Sequence, residues 1–330
     1  MNVLKQLSRV TPKERTLTLG VDIGSTAVKA LALGPRRGSG PRSLVAKQVV
    51  PVNREEPDPV EAVKTAVSAL QLPVRSITLS VSGPWVVIRV VEMPVMSPAE
   101  VKQALPFEAQ RFLPFNIQDV VIDGELLGPS EEHKIWVLIV ACKRELLDRR
   151  LDCALRAGYD VALIDVDALA LVNAYLTAAD GREPQGMTAL MNVGGQLTSL
   201  VVFHRAIPYL VRDLPWGGDK LIRSIAEQQK REPDAVLQEF VQGALSPESL
   251  AAVKAACESL VTELQLSFDY CENRFGQPPD TVLVTGGLAQ SPSFLEALKG
   301  HLTQPVSAWT PLAGLSPQFA VAYGLALRTD

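Results

Sequence analysis

The sequence has few cysteines and histidines, no long apolar run and no excess of basic residues. Its four cysteines form no CxxC pair and only three histidines are present, so a zinc site is not expected. The longest unbroken apolar run, residues 135–142, is far shorter than the roughly 20 residues that cross a membrane. No secretory signal begins the chain. These absences predict a reduced, cytoplasmic protein without a membrane span.

The net charge and the composition exclude further classes of protein. The 36 acidic residues outnumber the 32 basic ones, which gives a net charge of −4. This balance argues against a general nucleic-acid binder, which normally carries a basic excess. A hydrophobic fraction of 47% and a charged fraction of 21% are typical of a globular protein, and 330 residues are enough for two domains.

Strand-like and helix-like segments alternate along the chain, which is typical of an α/β fold. The apolar runs predict strands at residues 76–82, 85–91, 120–127, 135–141, 161–164, 188–193, 199–203 and 281–284. Helical spacing, caps and stop residues predict helices at residues 59–70, 143–157, 168–179, 247–275 and 292–302. A further helix begins after Ser97, with Glu100 completing a capping pattern, and Pro106 predicts that it kinks or ends there.

The beginning of the chain has a counterpart near its middle. Residues 16–33 read as two strands joined by a polar glycine turn, and residues 188–203 repeat that pattern. Such an internal repeat predicts two related halves.

The first glycine turn carries residues suited to a phosphate. Asp22 is followed by Gly24, Ser25 and Thr26, and Lys29 lies seven residues after the aspartate. Glycine and small hydroxyl residues at a hairpin tip let backbone amides face a phosphate, lysine supplies a positive charge, and aspartate can hold magnesium through water. An ordinary Gly-Ser hairpin is the alternative interpretation.

Two further glycine clusters follow in the second half. Residues 192–198, NVGGQLT, form the second turn, and Gly286 and Gly287 follow the predicted strand at 281–284. Each cluster is weak evidence alone, but their order and spacing together are much less expected by chance.

With these clusters, the sequence resembles the actin/Hsp70-type ATPase superfamily. Within it, the chain is similar to the PilM-type actin-like proteins of type IV pilus assembly, which are relatives of the cell-division protein FtsA. The resemblance runs over residues 17–328 and rests on MPxMS at 93–97, FEAQRFLPF at 107–115, DGELLG at 123–128, IDVDALA at 164–170, DLPWGG at 213–218, SFDY at 267–270 and AVAYGLA at 320–326.

The resemblance implies an α/β, actin-like ATPase fold of two lobes with an FtsA-type inserted subdomain. The first lobe would span residues 16–185, with the insertion at about 86–160, and the second lobe residues 186–330. Outside the region of resemblance, residues 1–15 contain four basic residues and one acidic residue, which predicts a basic N-terminal segment. This segment is either a partner-binding or membrane-surface segment or a loose terminus.

The resemblance also implies ATP and Mg²⁺ in the cleft between the lobes. The residues implied to contact phosphate and magnesium are Asp22, Gly24, Ser25, Thr26 and Lys29, with Asp22 holding the metal through water. The second phosphate loop is implied at Asn192, Gly194, Gly195 and Thr198, the adenine contacts at Gly286 and Gly287, and the nucleoside contacts at Gly217, Gly218 and Asp219.

The chain departs from the family pattern at three places. Asn192 stands where the family usually has aspartate, and an amide cannot carry the negative charge that a magnesium–water cluster favours. Gln265 and Leu266 replace basic residues of the long helix, and Pro106 interrupts a helix that is usually unbroken. The first two departures predict weak or absent hydrolysis more than loss of nucleotide binding.

Other residues admit two interpretations. Asp165 and Asp167 follow a predicted strand, where they are either catalytic acids that activate water or caps of the next helix. Phe107, Phe112 and Phe115 either line a peptide groove or pack in a core, and core packing is the default expectation for aromatics at helical spacing.

The resemblance implies a cytoplasmic nucleotide-binding scaffold of the type IV pilus assembly platform, peripherally associated with the inner membrane. Its implied partner is the N-terminal peptide of a PilN-type membrane protein, with pilus motor ATPases and self-association as further candidates. Two alternatives stay open, a small-molecule kinase of the sugar-kinase branch and a filament-forming cytoskeletal protein.

Overall fold

The computed structural model describes residues 17–35, 42–52, 58–130, 133–178, 186–204, 207–243 and 245–328. The basic segment predicted at residues 1–15 lies outside the described residues. Within them, no helix has both the length and the apolar character that a membrane span requires.

The structure alternates strands and helices along the chain. The strands are β1 (Thr18–Ile23), β2 (Ala27–Leu33), β3 (Leu44–Pro51), β4 (Ser76–Val81), β5 (Val86–Pro94), β6 (Val120–Pro129), β7 (Lys134–Lys143), β8 (Asp160–Val166), β9 (Met187–Val193), β10 (Thr198–His204), β11 (Ile207–Leu214), β12 (Thr281–Gly286) and β13 (Val306–Ala308). The helices are α1 (Val60–Ser68), α2 (Pro98–Gln110), α3 (Arg144–Arg156), α4 (Asp167–Ala178), α5 (Gly218–Gln229), α6 (Pro233–Gln242), α7 (Pro247–Phe275), α8 (Pro292–Lys299) and α9 (Ala320–Ala326).

Two five-stranded sheets have the same strand order. The first runs β3-β2-β1-β4-β8 and the second β11-β10-β9-β12-β13. In each, the first three strands along the chain pair antiparallel and the other two join in parallel. The glycine turns match as well, since Gly24 donates to Ala27 at 3.1 Å and Gly194 to Leu197 at 2.9 Å. The predicted relation between the two halves is therefore confirmed at the level of topology.

Helices cover both sheets and fill the space between them. One face of the first sheet packs against α1 and α3, and one face of the second packs against α5, α6, α7 and α8. The opposite faces of the two sheets enclose α4 and α9. Glycines allow this close packing, because an added Cβ at Gly324 would overlap the carbonyl oxygen of Ala170, and one at Gly20 would overlap that of Ala322.

The small sheet β5-β7-β6 and helix α2 form a separate layer with its own core, built around Val101, Leu105 and Val137. The predicted capping box is present, since Ser97 accepts from the Glu100 amide and the Glu100 carboxylate accepts from the Ser97 amide. However, α2 does not end at Pro106 but continues to Gln110.

The exposed position of Pro106 explains why the helix continues. The carbonyl that loses its partner there belongs to Lys102, and both residues lie on the exposed side of α2, where water can replace the missing hydrogen bond. Phe107 is 76% exposed, so the default expectation of core packing is wrong for this residue. Phe112 and Phe115 are half-buried, beneath Arg89 and Lys143 respectively.

Candidate functional site

A row of polar side chains crosses the second sheet on the face that looks toward the first half. Asp213, Ser199, Asn192 and Thr285 lie opposite one another on four adjacent strands. Residues paired in this way share one face of a sheet. Two positions away along each strand, the same face carries apolar side chains such as Leu190, which packs against α4 and α9. The polar row therefore marks the end of the apolar contact between the halves.

The first glycine turn faces this row and holds a close ion pair. The Lys29 ammonium lies 3.1 Å from the Asp22 carboxylate, and both side chains are largely buried. At the tip, the amides of Ser25 and Thr26 donate to no backbone carbonyl of the described residues. These free amides, with the Lys29 ammonium beside them, are suited to an anion.

The second glycine turn lies directly against the first. An added Cβ at Gly195 would overlap the Thr26 side chain and lie 2.7 Å from the Ser25 hydroxyl. The structure thus brings together the two turns that the sequence predicted as phosphate loops, although they are about 170 residues apart in the chain.

Helix α5 fixes the second turn from behind. Its first amides, those of Gly218 and Asp219, donate to the carbonyls of Gly194 and Gly195 at 2.9 and 2.8 Å. Gly217 permits this approach, because its added Cβ would overlap the Gly195 carbonyl oxygen. The predicted nucleoside contacts at 217–219 therefore also support the loop. Beside them is an open cavity of about 500 Å³, lined by Gln196, Asp219, Lys220, Arg223, Ser224 and Glu227.

Thr198 is fully buried, and its hydroxyl donates to the Trp216 carbonyl at 2.7 Å. This bond ties the start of β10 to the segment before α5. The side chain of Thr198 therefore stabilises the loop. Its hydroxyl already donates to Trp216, so the structure does not present this hydroxyl for the predicted phosphate contact.

The third glycine cluster lies beside the second turn. Gly286 has φ +89°, and an added Cβ would lie 2.5 Å from the Val193 carbonyl oxygen and 2.7 Å from Asn192 Oδ1. Only glycine combines this dihedral angle with so little space. Gly287 has open space around its Cα, with nothing within 4 Å of an added Cβ. A flat ring can therefore approach the backbone at Gly287.

The two candidate catalytic acids have different environments. Asp165 is buried, forms an ion pair with Arg328 at 3.1 Å and accepts from the Val166 amide at 2.8 Å. Burial raises the pKa of Asp165, and the Arg328 charge opposes that rise. Asp167 is the first residue of α4 and lies near Asp22 and Asp213.

The pKa of Asp167 is raised to about 7. Removal from water is the largest cause, and the negative charge of Asp22 adds to it. The nearby hydroxyls of Ser80 and Ser82 lower the pKa, while Asp213 raises it further. A carboxyl group with this pKa can exchange a proton near neutral pH, which is the property required of a general acid or base.

Asp167→Asn is expected to stabilise the protein at pH 8 by about 1–3 kcal/mol. The raised pKa means that the folded state binds a proton more tightly than the unfolded chain. Wild-type stability therefore falls as pH rises from ~4 to ~7, and the amide variant lacks this loss. Urea unfolding of both proteins at several pH values measures the difference, which should disappear near pH 4. A difference that stays constant with pH would contradict the assignment.

Asp213 and Gly83 belong to this site but were not among the predicted site residues. The Asp213 carboxylate accepts from the Gly83 amide and from the Ser199 hydroxyl, both at 2.7 Å. Asp213 begins the DLPWGG motif, which was a usable signal in the sequence. The sequence carries no signal that connects Gly83 with Asp213, because the two residues meet only in the folded structure.

Comparison with known proteins places this geometry in a family. The family model described as type IV pilus assembly protein PilM matches residues 20–330. The solved structure described as the PilM-PilN type IV pilus biogenesis complex contains a chain with 23% identity and a TM-score of 0.81, and the match covers 95% of this chain and 98% of that one.

Two more distant structures share the fold. The ethanolamine utilization protein EutJ from Carboxydothermus hydrogenoformans is 13% identical with a TM-score of 0.55, and the match covers 97% of this chain and 91% of that one. The cytoplasmic domain of EpsL, an inner-membrane component of the type II secretion system of Vibrio cholerae, is 14% identical with a TM-score of 0.50, and each chain is covered to 96%. The α/β, actin-like ATPase fold is confirmed, and the kinase and filament alternatives are not favoured.

Proposed function

The chain belongs to the family of the type IV pilus assembly protein PilM, and we propose that it is a nucleotide-binding scaffold of the pilus assembly platform. It would act on the cytoplasmic side of the inner membrane as a peripheral component. The observation that carries the nucleotide part of the proposal is the contact between the two glycine turns, with free amides at the first tip.

The residues at the cleft fit ATP with magnesium. The amides of Ser25 and Thr26 would bind phosphate oxygens, and Lys29 would supply positive charge. Asp22 would hold a magnesium ion through water, and that ion would offset the negative charge of the phosphates. The open backbone at Gly287 would accept the adenine. Asp167, rather than the ion-paired Asp165, is then the better candidate for a water-activating acid.

Wild-type hydrolysis of ATP is expected to be slow or absent. Asn192→Asp is expected to raise the hydrolysis rate by about tenfold or more. The new carboxylate would stand at the position equivalent to Asp22 in the other half and restore the charge that a magnesium–water cluster favours. Phosphate release under saturating ATP measures the change. A brisk wild-type rate that the substitution leaves unchanged would refute this expectation.

The partner part of the proposal concerns the layer formed by β5, β6, β7 and α2. The related complex described above contains a PilN chain by its name, and we propose that a PilN-type N-terminal peptide binds this layer. Among the strands that the structure describes, β6 pairs only with β7. It also carries the exposed Val121, so an extended peptide can add to its edge.

A cavity of about 610 Å³ adjoins the start of β6. It lies between the short turn before β6 and the beginning of α3, and is lined by Gln118, Asp119, Lys143, Arg144, Glu145, Asp148, Arg149 and Asp152. Lys143 lies over the rings of Trp85 and Phe115, at 5.1 and 4.8 Å from their centroids. A strand edge beside a cavity with charged walls, one of which is the lysine that covers two aromatic rings, supports recognition of a short peptide.

Charge substitutions on this surface are expected to weaken peptide binding about tenfold while leaving the melting temperature and ATP affinity almost unchanged. The variants are Arg111→Glu, Asn116→Lys and Asp148→Lys, all at exposed positions. Glu258→Lys, on the exposed side of α7, is the matched control and should bind normally. Fluorescence anisotropy with a labelled PilN-type N-terminal peptide measures the affinity. Normal binding by all three variants would place the partner site elsewhere.

A further inference from the structure

Asp213 joins the two halves of the molecule at the edge of the cleft. It lies on β11 in the second half, whereas its partner Gly83 follows β4 in the first half, 130 residues earlier. One carboxylate oxygen accepts from the Gly83 amide and the other from the Ser199 hydroxyl, each at 2.7 Å. The carboxylate is thus held by its own sheet and bonded to the opposite half.

Local structure prepares both partners for this bond. Ser199 and Asp213 lie directly opposite each other on β10 and β11, which sets their side chains on one face. Gly83 has φ +94°, a conformation that other residues rarely adopt, and it turns the chain between β4 and β5. An added Cβ at Gly83 would lie 3.2 Å from Leu197 of the second glycine turn, so the bond adjoins the proposed phosphate site.

Removal of Asp213 can either strengthen or weaken ATP binding, and the direction of the change distinguishes two possible roles of this residue. Asp22 and Asp167 are close by, and a third carboxylate adds to the repulsion of an anionic ligand. If Asp213 contributed only its charge, removing it would strengthen ATP binding. If it holds the halves together, removing it would weaken ATP binding.

We propose that Asp213 is a latch that holds the two halves closed around the nucleotide, through its bond to the Gly83 amide. This rests on the proposed function, because the latch regulates retention at that same cleft. Bonds from amides to carboxylates are stronger than those to neutral acceptors, so a single bond suffices to bias an opening motion.

The experiment measures ATP affinity and release for Asp213→Ala, Asp213→Asn and wild type, with Mg²⁺ and with EDTA. Asp213→Ala should bind ATP about tenfold more weakly and release it faster, since a charge-assisted bond is lost. Asp213→Asn keeps an acceptor oxygen and should lie closer to wild type, although it lacks the same charge. Asp269→Ala, which removes an exposed charge from α7, is the control and should match wild type.

Hydrogen exchange at the Gly83 amide provides a second readout that needs no nucleotide. Exchange should be about tenfold faster in Asp213→Ala, with the amides of β1 unchanged. Tighter ATP binding by both variants, or a loss seen only with Mg²⁺, would overturn the latch in favour of a charge or metal role. Unchanged Gly83 exchange would also overturn it. If wild type bound no ATP, the proposed function would fail, and Gly83 exchange alone would decide whether the bond joins the halves.

Discussion

Gly324→Ala is expected to lower the free energy of unfolding by about 3 kcal/mol, toward the upper end of the usual cost of overpacking. Gly324 lies in α9, where an added Cβ would overlap the backbone carbonyl of Ala170 in α4. Backbone atoms of a packed helix cannot move aside as the end of a flexible side chain can. Helix propensity alone predicts the opposite sign, because alanine is favoured over glycine by up to about 1 kcal/mol.

Urea unfolding of wild type and variant measures this change. Gly300→Ala is the matched control, since its added Cβ would meet its nearest neighbours at 3.5 Å, an ordinary contact distance. The control should differ from wild type by less than about 1 kcal/mol. Equal or greater stability of Gly324→Ala would show that α4 and α9 are not packed as described.

Gly195→Val is expected to abolish measurable ATP binding, a loss of at least about 100-fold, while the protein stays folded. The valine side chain would occupy the contact between the two glycine turns, where even a Cβ overlaps Thr26 and approaches Ser25 to 2.7 Å. The turns must then separate, and the amides of the first tip no longer face the second loop. Gly195→Ala should give a smaller loss of the same kind.

Calorimetry measures the affinity, and thermal melting shows whether each variant is folded. Gly300→Val changes a glycine of the same half outside the cleft and should bind ATP as wild type does. Unaltered affinity of Gly195→Val would mean that the two turns do not form one phosphate site.

Local rules were enough to predict the elements that frame the cleft. The glycine turns at 24–26 and 194–197, the Ser97–Glu100 capping box and the end of α7 before Gly276 each depend on neighbouring residues. Their prediction was therefore confirmed by the structure. The sequence predicted either a kink or an end of α2 at Pro106, and the structure excludes the end. The sequence could not choose between them because the cost of proline in a helix depends on exposure, which the sequence does not display.

Contacts between distant segments could not be predicted in the same way. The Asp213–Gly83 bond and the packing of α9 on β1 each join residues from opposite halves or ends of the chain. The predicted boundaries assign α9 to the second lobe, yet it packs against the first sheet. The division into lobes at residue 185 remains a prediction.

Asp165 and Asp167 looked alike in sequence, and only their surroundings separate an ion-paired acid from one near the glycine turns.

Titration calorimetry of the purified protein with ATP and Mg²⁺ tests the proposed nucleotide site most directly. The titration is run with and without a PilN-type N-terminal peptide, and is repeated with Gly195→Val. We expect saturable binding of one ATP per chain to wild type and no binding to the variant. The absence of ATP binding to wild type, with the peptide present or absent, would contradict the proposal that this fold acts as a nucleotide-binding scaffold.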